Sequence, residues 1–200
     1  MNAQLNNPQG RTDKLTGEYY LQGVMETASG FKFNADHSFQ FFFSYGALDR
    51  SGEGRWEEKD NKVILNSRKY PGSDFALITS NKNNSDLITI KIIDSNSFFN
   101  SHVYCLLKSG GIQTEQFSNN LGLISFPKQL IDSISLAFEF CGERRSVFLP
   151  LDPSHNYFEF KFEPWIMEVF FSGFTLEIEK NGLIGPHPLL KPATYHFRKN

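Results

Sequence analysis

Along most of the chain, hydrophobic and polar positions alternate with a period of two. The clearest run is Phe39-Gln-Phe41-Phe-Phe43-Ser-Tyr45. Residues 39, 41, 43 and 45 fall on one face of an extended strand, because successive strand side chains point to opposite sides. Before it, Tyr19 and Leu21 share a face, Phe31 and Phe33 form a second strand, and Asn34-Ala-Asp36-His-Ser38 supplies turn formers. After it, a turn at 48–52 leads into Gly52-Glu-Gly54-Arg-Trp56. The polar tip Lys59-Asp-Asn61-Lys then precedes Val63-Ile-Leu65. This is a β-meander with an aromatic inner face.

Residues 66–85 read as a connector holding one strand-like stretch, Phe75-Ala-Leu-Ile-Thr79. The alternation then resumes. Ile88, Ile90 and Ile92 share a face, Val103-Tyr-Cys105-Leu-Leu107 follows, and Gly110-Gly111 turns. Further runs are Leu123-Ile-Ser-Phe126, Ile134-Ser-Leu136-Ala-Phe138, Phe158-Glu-Phe160-Lys-Phe162 and Phe174-Thr-Leu176-Glu-Ile178. Short strands at regular spacing with turn signals between them indicate a β-sandwich. Helix is scarce. Pro164-Trp-Ile-Met-Glu-Val-Phe-Phe171 fits two helical turns or a buried strand, and its pattern does not separate them. The tail at 182–192, with three prolines in its last seven residues, reads as loop or polyproline-like. Tyr195-His-Phe197 reads as a terminal strand expected to pair back onto one of the sheets.

Composition sharpens the fold class. Twenty-one Phe among 200 residues favour strands and supply large buried areas. The formal net charge is -2, and no basic stripe is present of the kind a nucleic-acid surface needs. No apolar run reaches the roughly 18 residues of a membrane span. The polar N-terminus lacks the apolar core of a signal peptide. That leaves a cytoplasmic chain or one whose leader has been removed, and Met1 favours the first. Residues 1–13, rich in Asn and Gln, read as a disordered lead-in.

Little catalytic patterning accompanies the strands. His102 and Cys105 lie three apart in a strand-like segment and so face opposite ways. No His-Glu-x-x-His, Cys-x-x-Cys or His-x-His spacing is present, so no metal or other cofactor is expected. Ser172-Gly173 lacks a nucleophile elbow. Cys105 and Cys141 sit in apolar segments and read as reduced, buried thiols. The remaining candidate is the aromatic face of the first module, with Tyr45, Asp49, Arg50 and Trp56 near its rim. Those rings are either ordinary core or the wall of an apolar concavity with a few polar groups, the usual form of a ligand site.

The order Gly17-x-Tyr19, then Asp36-x-Ser-Phe39, then Gly54-x-Trp56, then a polar turn before Leu65 resembles lipocalin-like bacterial domains. The stretch holds too few strands for a full eight-stranded barrel, which implies half a barrel or a small sheet packed on its neighbour. Ile90-Lys-Ile-Ile-Asp94, Val103-Tyr-Cys-Leu-Leu107 and Asn119-Asn-Leu-Gly122-Leu-Ile-Ser-Phe126 resemble the carboxypeptidase regulatory-like, transthyretin-like sandwich family. Phe99, Asn100 and Ser101 stand where that family has Pro and Gly. The resemblance implies an accessory module for binding or spacing.

The expectation is therefore an all-β, mostly antiparallel protein. A lipocalin-like meander or partial barrel over 14–84 precedes a transthyretin-like sandwich over 85–200. The functional expectation is a non-enzymatic binding or interaction module for a protein partner or a small apolar ligand. The alternative is a small-molecule hydrolase with its site between the modules.

Overall fold

The structure, a computed structural model, describes residues 14–200; the expected lead-in at 1–13 lies outside the described residues. The chain is all-β and mostly antiparallel, as its alternation requires. Helix among the described residues is confined to short pieces, among them α1 (Ser97–Asn100) and a single 3-10 turn at Glu139–Cys141. None is long and apolar enough to cross a membrane.

The chain divides into two units. One comprises residues up to Tyr70 together with Met167–Asn200, and the other is Pro71–Ile166. The sequence-based boundary near residue 84 therefore falls inside the second unit, and residues 167–200 belong with the N-terminal meander instead of the sandwich.

The first unit is a closed eight-stranded barrel. Five strands come from the N-terminal part: β1 (Gly17–Leu21), β2 (Thr27–Phe33), β3 (Ser38–Tyr45), β4 (Leu48–Lys59) and β5 (Lys62–Asn66). Three come from the C-terminal part: β14 (Phe174–Glu179), β15 (Gly182–Gly185) and β16 (Tyr195–Lys199). Each strand is antiparallel to the next around the ring. Phe174 lies opposite Leu65, joining β14 to β5 across the inserted unit, and Tyr19 lies opposite Lys199, closing β16 onto β1. The meander is thus completed into a full barrel by strands the local pattern assigns to another module, and Gly182–Gly185, expected as loop, is one of them because it precedes the prolines and pairs on both sides.

Inside the barrel, the alternation predicted for β3 holds: Phe39, Phe41 and Phe43 are buried while Gln40 and Phe42 face outward. The interior is filled by rings. Phe31 lies 5.0 Å from Phe41 and 5.1 Å from Phe197, and Phe171 lies 5.2 Å from Phe39 and 5.4 Å from Phe41, all between ring centroids. Each such side chain removed from water contributes roughly 1.5–3 kcal/mol. Phe171 reaches this core from an irregular segment. The run 164–171, expected as helix or strand, is neither: it turns at 164–167, and Glu168 then makes a parallel bridge to Ser51. The Val169 amide donates to the Ser51 carbonyl at 2.7 Å. β5 pairs with only the second half of β4, so this segment covers the edge that β5 leaves open.

The second unit is a β-sandwich. One sheet runs β10 (Leu123–Pro127), β7 (Leu87–Ile92), β13 (Tyr157–Phe162), β6 (Phe75–Asn81). The other runs β12 (Ser146–Phe148), β11 (Ser133–Phe138), β8 (Val103–Ser109), β9 (Ile112–Phe117). The pairing of β13 with β7 is parallel. Ile88, Ile90 and Ile92 point inward as their spacing predicts. Phe138 meets Phe162 at 4.9 Å and Phe148 meets Phe160 at 4.7 Å across the two sheets. Cys105 and Cys141 are free and buried. Burial pushes the Cys105 thiol up to about 12, because the thiolate is poorly solvated there.

Candidate binding groove

Of the four rim residues singled out from sequence, Tyr45, Asp49 and Arg50 sit together at the end of the β3–β4 hairpin, while Trp56 lies apart and the side chains take different faces. On β4 the even positions point inward, so Arg50 and Trp56 are buried while Asp49 faces solvent. Trp56 lies six residues beyond Arg50, roughly 20 Å along an extended strand. It packs edge-on against Phe33 at 5.7 Å and stacks on His37 at 4.5 Å, and its indole N–H donates to the Asn34 carbonyl at 3.1 Å. Arg50, at the other end, donates from Nη2 to the Glu168 carbonyl at 3.3 Å. Tyr45 is exposed at the end of β3. Trp56 and Arg50 thus belong to the barrel's interior.

A residue the sequence placed only in a Pro-rich loop also belongs to that interior. His187 is 5 % exposed, and its ring lies among Phe41, Phe43, Tyr195 and Phe197 at centroid distances of 5.6 to 6.1 Å. Burial lowers its pKa to about 4, since the imidazolium would lose its hydration. Among the described residues, no group of three His, Cys, Asp or Glu side chains is placed to hold a metal ion.

One concavity on this unit lies on the outer face of β1 to β4, with a volume of about 660 Å³. Two rows of outward side chains run across these strands. One is Tyr20, Gly30, Phe42 and Ser51; the other is Glu18, Lys32, Gln40 and Glu53. Neighbouring strands are about 4.8 Å apart, so each row spans roughly 15 Å. Glu168 forms part of the lining.

Small residues shape the floor. A Cβ on Gly30 would stand 2.3 Å from the Tyr19 carbonyl oxygen and 2.9 Å from the Phe42 ring. Glycine there lets the Phe42 ring lie over β2, the arrangement in which an aromatic neighbour covers a strand glycine. Tyr20 meets Phe42 edge to face at 6.0 Å. Both rings remain more than one-third exposed.

The charges are mixed. The Tyr20 hydroxyl donates to Glu18 at 2.7 Å, and Lys32 lies 3.5 Å from the same carboxylate. The Tyr20 hydrogen bond, followed by Lys32, holds the Glu18 carboxyl below its usual range. Glu168 pairs with Arg68 at 2.7 Å. The side chains of Gln40, Ser51 and Glu53 make no hydrogen bond to any described residue. Alternation already placed Gln40 and Phe42 outward on β3. What it lacked was the neighbour relation that brings Tyr20, Lys32 and Glu53 beside them.

Comparison of the chain with protein-family models, curated proteins and solved structures finds no match.

Proposed function

We propose that this chain is a non-catalytic binding protein whose barrel presents a small-molecule site on the outer face of β1 to β4. The observation that carries this reading is the groove itself. Two exposed rings and three uncommitted polar side chains stand together on regular strands. Ligand sites combine apolar surface with a few placed polar groups in this way, and strands hold such groups more rigidly than loops do. The barrel interior is an unpromising alternative because Phe31, Phe33, Phe39, Phe41 and Phe171 occupy it. In this reading the lipocalin-like resemblance extends to the eight-stranded meander order and not to carriage of a ligand inside the barrel. The sandwich unit keeps the accessory role implied by its transthyretin-like resemblance.

Amide chemical-shift mapping with a library of neutral, cationic and anionic small molecules tests the proposal. Shifts clustered on outward residues of β1 to β4, and lost on Phe42→Ala, are the expected result. Binding that maps to other surfaces, or none at all, would overturn it.

A further inference from the structure

Resting on that reading, we propose that the groove on β1 to β4 is a carbohydrate site, taking a neutral sugar against Phe42. Three features of the groove favour this class. The first is the balance of charge. Lys32 stands mid-row between Glu18 and Gln40, and Glu53 closes the row. Lys32 pairs with Glu18 and Arg68 with Glu168, which leaves the Glu53 carboxylate as the uncompensated charge of the lining and disfavours an anion. A neutral ligand whose hydroxyl donates to Glu53 meets no such penalty.

The second feature is the donor and acceptor inventory. Gln40 and Ser51 each offer both functions, Glu53 only accepts and Lys32 only donates. Sugar hydroxyls also do both, and several of them border one small ring. Such a ligand satisfies adjacent mixed groups that a purely donating or purely accepting compound would leave unpaired.

The third is the floor. The Phe42 ring, packed over Gly30 and flanked by Tyr20, offers an electron-rich aromatic face. The C–H bonds on one side of a sugar ring carry slight positive charge and fit that face, while the hydroxyls project from the ring edge toward Gln40, Ser51 and Glu53. The row spans roughly 15 Å across four strands, which accommodates a short stretch of polysaccharide as well as a single residue.

Affinity electrophoresis through gels containing soluble β-glucan, xylan, galactomannan or glycol chitin, with calorimetry on the matching methyl glycosides, separates a polymer ligand from a free sugar. Retardation by at least one polysaccharide, or heat from one glycoside, is expected for the native chain. Phe42→Ala should abolish it. The double variant Gln40→Ala, Glu53→Gln should weaken it at least about tenfold, the equivalent of one good polar contact. The double variant alters only outward polar groups, so it keeps the test valid if Phe42→Ala fails to fold; unchanged circular dichroism and melting temperature confirm its fold.

Sugar binding that survives both substitutions would place the sugar elsewhere and overturn the proposal. Absence of binding to every saccharide would also overturn it. If shift mapping still finds a non-sugar compound in the groove, the binding reading stands without the sugar. If nothing maps there, both readings fall.

Discussion

His187 Nε2 lies 2.9 Å from Ser29 Oγ in the buried interior of the barrel. The other ring nitrogen, Nδ1, accepts from the Leu189 and Leu190 amides at 3.1 and 3.2 Å. Backbone amides only donate, so the ring proton resides on Nε2 and passes to Ser29 Oγ as a hydrogen bond. Ser29 in turn donates to the Phe42 carbonyl at 2.8 Å. The imidazole is thereby held as one neutral tautomer between Phe41, Phe43 and Phe197, tying the 186–194 loop to β2.

This arrangement predicts a specific acid sensitivity. The folded pKa of His187 is depressed to about 4, against about 6.5 in the unfolded chain. Above pH ~6.5 both states are neutral and the full stability is present. As pH falls toward ~4 the unfolded state takes up a proton that the folded state refuses, so stability declines, by on the order of 3 kcal/mol in all. Urea unfolding measured across this window should show the decline. His187→Asn should be less stable at neutral pH and should lose this histidine's share of the slope; an unchanged slope would contradict the buried, neutral assignment.

Trp56 is a core residue in this fold, so Trp56→Ala should cost about 3–5 kcal/mol, as large aromatic truncations do. Trp56→Phe keeps the contact with Phe33 but loses the bond to the Asn34 carbonyl, and should cost about 1–3 kcal/mol. Denaturant titration of both variants distinguishes this from a rim position, for which losses under ~0.5 kcal/mol are usual.

The bridge between Ser51 and Glu168 depends on a close approach beside it. A Cβ on Gly52 would lie 2.6 Å from the Val169 carbonyl oxygen and 2.8 Å from the Phe171 ring. Gly52→Ala should therefore destabilise the chain by about 1–3 kcal/mol through overpacking. Ser51→Ala, on the outward face, should stay within ~0.5 kcal/mol. Equal melting temperatures for Gly52→Ala and the native chain would show that 168–171 does not seal this edge.

In the sandwich unit Arg144 Nε and Asp74 form a 2.7 Å ion pair with side chains 11 % and 4 % exposed. Arg144 Nη2 also donates to the Ile166 carbonyl at 2.6 Å. Arg144→Ala breaks a buried ion pair and should cost about 3–5 kcal/mol. A double-mutant cycle with Asp74→Ala should show strong coupling, because the two charges are in direct contact. Simple additivity would mean that water already reaches the pair.

Cys105 and Cys141 are both fully buried, and the Cys141 thiol donates to the Ile166 carbonyl at 3.0 Å. Thiol labelling of the native protein should be slow and should become fast on unfolding. Rapid native labelling of either cysteine would show that its segment opens readily.

Most strands and their buried faces were legible in the amino-acid order, because a period of two is a local property of extended chain. Phe39, Phe41 and Phe43, and likewise Ile88, Ile90 and Ile92, each declare a common face without reference to any partner. The terminal strand at Tyr195 was legible for the same reason. Partnership was not. Leu176 and Ile178 alternate as well as any residues in the sandwich, yet β14 pairs with β5, and only hydrogen bonds formed across the inserted unit decide that. The same limit governs the candidate site. Sequence separated the inward Phe41 from the outward Phe42, but the groove exists because register sets Tyr20, Gly30, Phe42 and Ser51 in one row. His187 shows the limit most plainly: its prolines announce a loop, while its place in the barrel interior depends on Ser29 and on rings from strands far away in the chain. Local periodicity determines which face a side chain takes; the tertiary structure decides what that face meets.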